Sequence, residues 1–213
     1  DDVVVGKLFG VEVLGFYTMA FFLSDLPLSR LNSVLNPVLI PYFAQLKTAP
    51  DKLYTNYLKI VSGINSIVAP ILAGLAVAAP EIVPLILGEK WLPLITPLQV
   101  MCFVGFLRSS TGNVSAILYA LGHPKKVLRY NIISVLILPI CFVLLGLALG
   151  INGVYATWLV LFPLTIYIIL AIFRDTTGVA ISRYIGALRP GTVSAGVMAV
   201  VVYGFGALYG GHF

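Results

Sequence analysis

Charge is what this sequence has least of. Asp, Glu, Lys and Arg make up 10% of its 213 residues while 60% are hydrophobic, whereas a soluble domain carries roughly 25% charged residues. With a mean hydropathy of +1.03, the chain has too few polar groups to coat a surface against water, which excludes an ordinary soluble domain. Histidine is nearly absent: only His123 and His212 occur, both outside the apolar stretches. A metal centre or a general base inside the membrane therefore has little to be built from, no metal or cofactor is expected, and no catalytic motif is present. Cysteine is limited to Cys102 and Cys141, each within an apolar run, where it reads as a small buried hydrophobe rather than half of a disulfide. The net charge is +5, but the basic residues form no block, which argues against nucleic acid as a partner. There is also no initiator Met and no signal peptide. The chain is expected to be cut from something longer, with more helices on both sides.

What remains is long apolar runs. A membrane-crossing helix needs about 20 largely apolar residues, and unpaired backbone is not tolerated in lipid. Residues 3–9 read as the end of one helix, 10–15 as a short turn carrying Glu12, and 16–46 as a long span bent by Pro27, Pro37 and Pro41. Residues 57–79 form the next span, 80–92 an interfacial turn punctuated by Pro80, Pro84 and Gly88 with Trp91 at the headgroup level, and 93–121 a span interrupted only by Arg108. No charge lies between Arg129 and Arg174, a stretch long enough for two crossings joined by a turn at 150–153. Residues 174–189 are weakly amphipathic and suited to the membrane surface, and 190–210 form a last span. The reading is an all-α polytopic transmembrane bundle of about six helices.

Basic residues should be in excess on the cytoplasmic side. Alternate loops hold Lys47, Lys52 and Lys59, then Lys125, Lys126 and Arg129, then Arg174, Arg183 and Arg189, against Lys7 and Lys90 opposite. Loops 45–59, 119–130 and 174–190 are therefore expected in the cytoplasm.

Charges inside spans cost several kcal/mol unless they face a partner or a wet cavity. Asp25 and Arg30 lie on the bent helix beside Ser24, Ser29, Asn32 and Asn36, while Arg108 lies near Ser109, Ser110 and Asn113. One reading is a hydrated cavity lined by Asp25, Asn32, Asn36 and Asn113, in which Arg30 and Arg108 hold the phosphates of an amphiphilic substrate. The other is that Asp25 and Arg30 neutralise one another as a structural pair and Arg108 snorkels to an interface. Ser62, Ser66 and Ser134 read as helix-packing or backbone-bonded residues. Prolines 27, 37, 41, 70, 97, 139 and 163 read as hinges or as fixed kinks.

Three stretches carry a family resemblance: VGKLFGVEVLGFYTMAFFLSDLP at 5–27, APEIVPLILGEKWLPLITPLQ at 79–99 and YALGHPKK at 119–126, with NPVLIP at 36–41 as a fourth. They resemble the polysaccharide-transport flippases of the multidrug/oligosaccharidyl-lipid/polysaccharide exporter superfamily, and the LGEKW run in particular is similar to the Wzx-type exporters of O-antigen, colanic acid and exopolysaccharide units. The resemblance implies the second lobe of a two-lobe MATE/MurJ-like exporter fold. Residues 1–175 would be the second-lobe bundle from the end of helix seven to helix twelve, 176–190 an interfacial linker helix, and 191–213 helix thirteen. It further implies movement of an undecaprenyl-diphosphate-linked oligosaccharide across a bacterial inner membrane, without bond making or breaking, with the lipid bilayer as partner and polysaccharide polymerase and export machinery nearby. A cation-coupled multidrug antiporter, with Asp25 as the coupling residue, is the alternative on the same architecture. A membrane-embedded transferase would need an interfacial carboxylate or His that the sequence does not offer.

Overall fold

The computed structural model describes residues 2–46, 49–111 and 113–209, and among these every regular element is helical. In chain order the helices are α1 (Asp2–Gln45), α2 (Pro50–Leu87), α3 (Ile95–Thr111), α4 (Val114–Ala120), α5 (Pro124–Leu149), α6 (Ile151–Ala156), α7 (Phe162–Thr177) and α8 (Ile181–Tyr209). A 3₁₀ segment, Glu89–Leu94, leads into α3, and a π-helical turn, Thr157–Leu161, joins α6 to α7. Six stretches are long and apolar enough to cross a membrane. Lys47 and His212 lie outside the described residues.

Several boundaries differ from the sequence reading. The turn expected at 10–15 shrinks to Gly10, whose φ of 88° kinks the helix where a side chain would be strained, and Glu12 is already helical. The turn expected at 80–92 begins only at Gly88 (φ 89°), because α2 runs through Pro80 and Pro84. Pro80 cannot donate to the carbonyl of Ala76; the side chain of Gln99 on α3 donates to it instead, at 3.0 Å. The turn at 150–153 narrows to Gly150, with helix resuming at Ile151. The surface segment expected at 174–189 is divided, its first residues ending α7 at Thr177, while from Ile181 onward it and the last span are one helix, α8, with Pro190 inside it. Of the prolines read as hinges or kinks, Pro97 and Pro163 sit in first helical turns, where no donor is required. The π turn directly before Pro163 closes with the Phe162 N–H donating to the Thr157 carbonyl, a widening that spares the Leu159 carbonyl from the proline ring.

Packing sorts the residues into two apolar clusters stacked along the bundle. One joins Tyr17, Leu28, Val68, Leu98 and Trp158. The other joins Phe43, Leu53, Tyr57, Val127, Phe173 and Tyr184, and so gathers all three basic loops at a single end. There Lys126 Nζ donates to Thr176 Oγ1 at 2.8 Å, and the Tyr57 ring lies 5.4 Å from Phe173. α8 runs parallel to α2 in a steady register: Tyr184 meets Tyr57, Gly191 meets Asn65, and Met198 meets Gly74. Small residues allow that close approach, as is usual where helices meet in lipid. The outer faces carry bare apolar side chains, Val135, Leu136, Leu144 and Leu147 on α5 and Val193, Val197 and Val200 on α8. Apolar faces of this kind belong against acyl chains or a packed partner rather than water.

Candidate functional site

Between the two apolar clusters lies a polar seam. On α1 it falls between Leu28 and Leu39, on α3 and α4 between Val104 and Val114, and along the π turn and α7 between Trp158 and Ile169. Arg108 lies inside the membrane-length stretch Glu89–Ala120, away from either end.

The seam opens into a cavity of about 410 Å³ lined by Asp25, Leu28, Ser29 and Asn32 of α1, Arg108 and Thr111 of α3, Ser115 of α4, Tyr130 of α5, and Phe162 and Ile169 of α7. The α1 residues repeat at i, i+3, i+4 and i+7, which puts them on one face. Opposite them, α3 ends at Thr111 and α4 begins at Val114, within one membrane-length stretch, Glu89–Ala120.

Arg108 reaches across to α1. Its Nη1 lies 3.1 Å from Asp25 Oδ1, with the two side chains 31% and 26% exposed. The guanidinium also sits over the Phe21 ring, 4.9 Å from its centroid, a contact worth about 0.5–2 kcal/mol according to desolvation. Phe21 leans on Trp158, which in turn packs on Phe142 and Phe162 and donates its indole N–H to Tyr17 Oη at 2.7 Å. Arg108 is thus held by an aromatic stack anchored at the π turn. Intramembrane charges are tolerated when paired in this way.

Of the residues picked out in the sequence, Asp25, Asn32 and Arg108 come together in the cavity. Arg30 does not: it is exposed on α1, five residues from Asp25 and hence about 140° around the helix. The structural pair is accordingly Asp25 with Arg108, not with Arg30. Asn36 and Asn113 lie in the seam but do not line the cavity. Asn32 Oδ1, Asn36 Oδ1 and Asn113 Nδ2 are buried without a hydrogen-bond partner among the described residues, positions suited to ordered water.

Two features escaped the sequence reading. Thr111, Ser115 and Tyr130 contribute hydroxyls to the cavity wall, joining Ser29, which the sequence had already grouped with Asp25 and Asn32. Beside the cavity, a buried network ties three helices: Asn65 Nδ2 donates to Ser110 Oγ at 2.8 Å, Tyr184 Oη donates to the Ser110 carbonyl, and Tyr57 Oη lies 3.4 Å from Tyr184 Oη. A larger groove, about 590 Å³, runs along α2 and α8 past Pro70, Arg189, Val193 and Val197, but its apolar walls offer little for polar chemistry. No group of three or more His, Cys, Asp or Glu able to hold a metal occurs among the described residues.

Comparison with known proteins agrees with the membrane fold. The family described as "Polysaccharide biosynthesis protein" matches residues 1–96. The lipopolysaccharide biosynthesis protein WzxC of Escherichia coli is 32% identical over 154 residues, 72% of this chain and 31% of that protein. The teichuronic acid biosynthesis protein TuaB of Bacillus subtilis is 28% identical over 58% of this chain and 26% of its own length. The amylovoran biosynthesis protein AmsL of Erwinia amylovora is 28% identical over 64% of this chain and 35% of its own length. The chain thus spans roughly a third or less of the curated relatives it matches. No solved structure matches. With six membrane-length helices, a family match over residues 1–96 and relatives named for surface-polymer synthesis, the chain resembles the Wzx-type polysaccharide-biosynthesis proteins.

Proposed function

We propose that this chain forms part of a flippase that moves undecaprenyl-diphosphate-linked oligosaccharide units from the cytoplasmic to the periplasmic leaflet of a bacterial inner membrane, supplying surface polysaccharides of the O-antigen, exopolysaccharide or colanic-acid type. The observation that carries the reading is Arg108: a guanidinium inside a membrane-length stretch, on the wall of a hydroxyl-bearing cavity, in a chain similar to polymer-biosynthesis proteins. Arginine stays charged in such surroundings and presents a planar set of donors to phosphate oxygens. The head group would sit against Arg108 while the polyprenyl tail stays in lipid. On this reading the eight helices act as the second lobe of a two-lobe exporter, the three basic loops face the cytoplasm, and polymerase and export machinery take the product. Arg30, exposed on the far side of α1, would meet the substrate only from another face.

Deleting the full-length gene should trap lipid-linked repeat units on the cytoplasmic face, and a copy carrying Arg108→Ala should fail to restore surface polymer. Normal polymer in the deletion strain, or full rescue by the Ala variant, refutes the reading. The cation-coupled drug antiporter is supported by one observation, the carboxylate of Asp25 within the same cavity. Drug efflux lost in Asp25→Asn but retained in Arg108→Ala would favour it.

A further inference from the structure

From the ion pair on the wall of this cavity we infer that Asp25 is a built-in competitor for the anion at Arg108, so that binding a phosphate head group and breaking the Asp25–Arg108 tie between α1 and α3 are one event. The inference rests on the proposed reading of the cavity as a diphosphate site.

The two partners are not equally held. Arg108 is fixed by the Phe21 ring, itself wedged against Trp158, Phe142 and Phe162. Among the described residues Asp25 is held by its ion pair with Arg108 Nη1, at 3.1 Å. It also stands two residues before Pro27, which cannot donate to the Leu23 carbonyl, so α1 is free to bend at that point. Asp25 and Arg108 are the charged residues of the cavity wall. With Asp25 in place the pair is close to neutral, and an arriving anion must either displace the carboxylate or bind beside it against its repulsion. A multiply charged diphosphate suffers most from that repulsion, since Coulomb energy scales with ligand charge. What it gains on displacing Asp25 is the guanidinium together with the hydroxyls of Ser115 and Tyr130.

The physical consequence is an affinity set deliberately low. A carrier must bind its cargo well enough to load and weakly enough to unload, as conduction through any multi-site path requires. The returning carboxylate expels the head group and restores the ion pair between α1 and α3. A cavity with Arg108 alone would hold a diphosphate more tightly and release it more slowly.

The test is a titration of the full chain in detergent micelles with inorganic pyrophosphate, read by Trp158 fluorescence in a Trp91→Phe background, with orthophosphate in parallel. Asp25→Asn should tighten pyrophosphate binding by about tenfold, the scale of one partly screened charge pair, and orthophosphate binding by a smaller factor. Asp25→Glu, which keeps the competitor, should bind within about twofold of the parent; it also serves if the Asn variant fails to fold. Farnesyl diphosphate separates the two sources of the anion: tighter binding than pyrophosphate assigns a lipid head group and equal affinity a free one, and either supports the exchange when Asp25→Asn shifts it. Pyrophosphate binding in Asp25→Asn equal to or weaker than in the parent overturns the inference, while a loss of binding in Arg108→Gln would leave the diphosphate site standing. Binding that survives Arg108→Gln unchanged, or that no variant shows, overturns the site and the inference together.

Discussion

Replacing Gly191 by alanine should push α8 away from α2, and the size of the effect follows from the packing. A β-carbon at position 191 would lie 2.8 Å from Asn65 Oδ1 and 2.9 Å from both the carbonyl carbon and oxygen of the same residue. Ordinary contact begins near 3.4 Å, so the helices must separate by about 0.6 Å, and two of the three obstructing atoms are backbone that no rotamer change can move. Overpacking of this kind costs about 1–3 kcal/mol; against it stands about 0.5–1 kcal/mol gained from replacing a helical glycine. The net expectation is a loss of about 1–2 kcal/mol, or several degrees of Tm at about 2–4 °C per kcal/mol for a chain of this size. Gly196 supplies the control, because it lies on the same helix with nothing within 4 Å of its would-be β-carbon; Gly196→Ala should be neutral or slightly stabilising. Thermal unfolding of the two variants in one detergent decides the matter. A Gly191→Ala protein as stable as Gly196→Ala would mean that α8 does not sit in this register along α2.

Other expectations are as specific. Gly153→Ala should be more damaging still, since a β-carbon there falls on the backbone carbonyl of Leu145; an unchanged melting curve would remove the tight α5–α6 turn. Asn65→Ala should lose about 0.5–2 kcal/mol by breaking the bond to Ser110, and a double-mutant cycle with Ser110→Ala should show coupling between the two sites; strict additivity would argue against the bond. In sealed spheroplasts, cysteines replacing Lys52, Lys125 or Arg183 in a background lacking Cys102 and Cys141 should resist an impermeant maleimide, while one replacing Lys90 should react. External labelling at any of the first three would invert the assigned sidedness.

The spans and the gathering of the basic loops were legible in the sequence, because lipid imposes a length on every apolar run and electrostatics places Lys and Arg between them. The apolar run after Arg129 could hardly be anything else. Helix ends were less legible. A proline looks like a stop, yet Pro80 continues α2 because a side chain from another helix takes over the carbonyl it leaves, and Gln99 gives no hint of that role in the linear sequence. Partnership within the seam was least legible. Asp25 and Arg30 are neighbours in sequence and both lie on α1, so pairing them was natural, but five residues turn a helix through the wrong angle and the usable cation arrives from α3. Helical periodicity determines which residues share a face of one helix, whereas which helix that face meets is decided by interhelical packing. The sequence by itself thus made this a membrane bundle with an intramembrane cation. Only the tertiary structure joined Arg108 to Asp25, seated it over Phe21 and laid α8 along α2, since each depends on contacts between residues far apart in the chain.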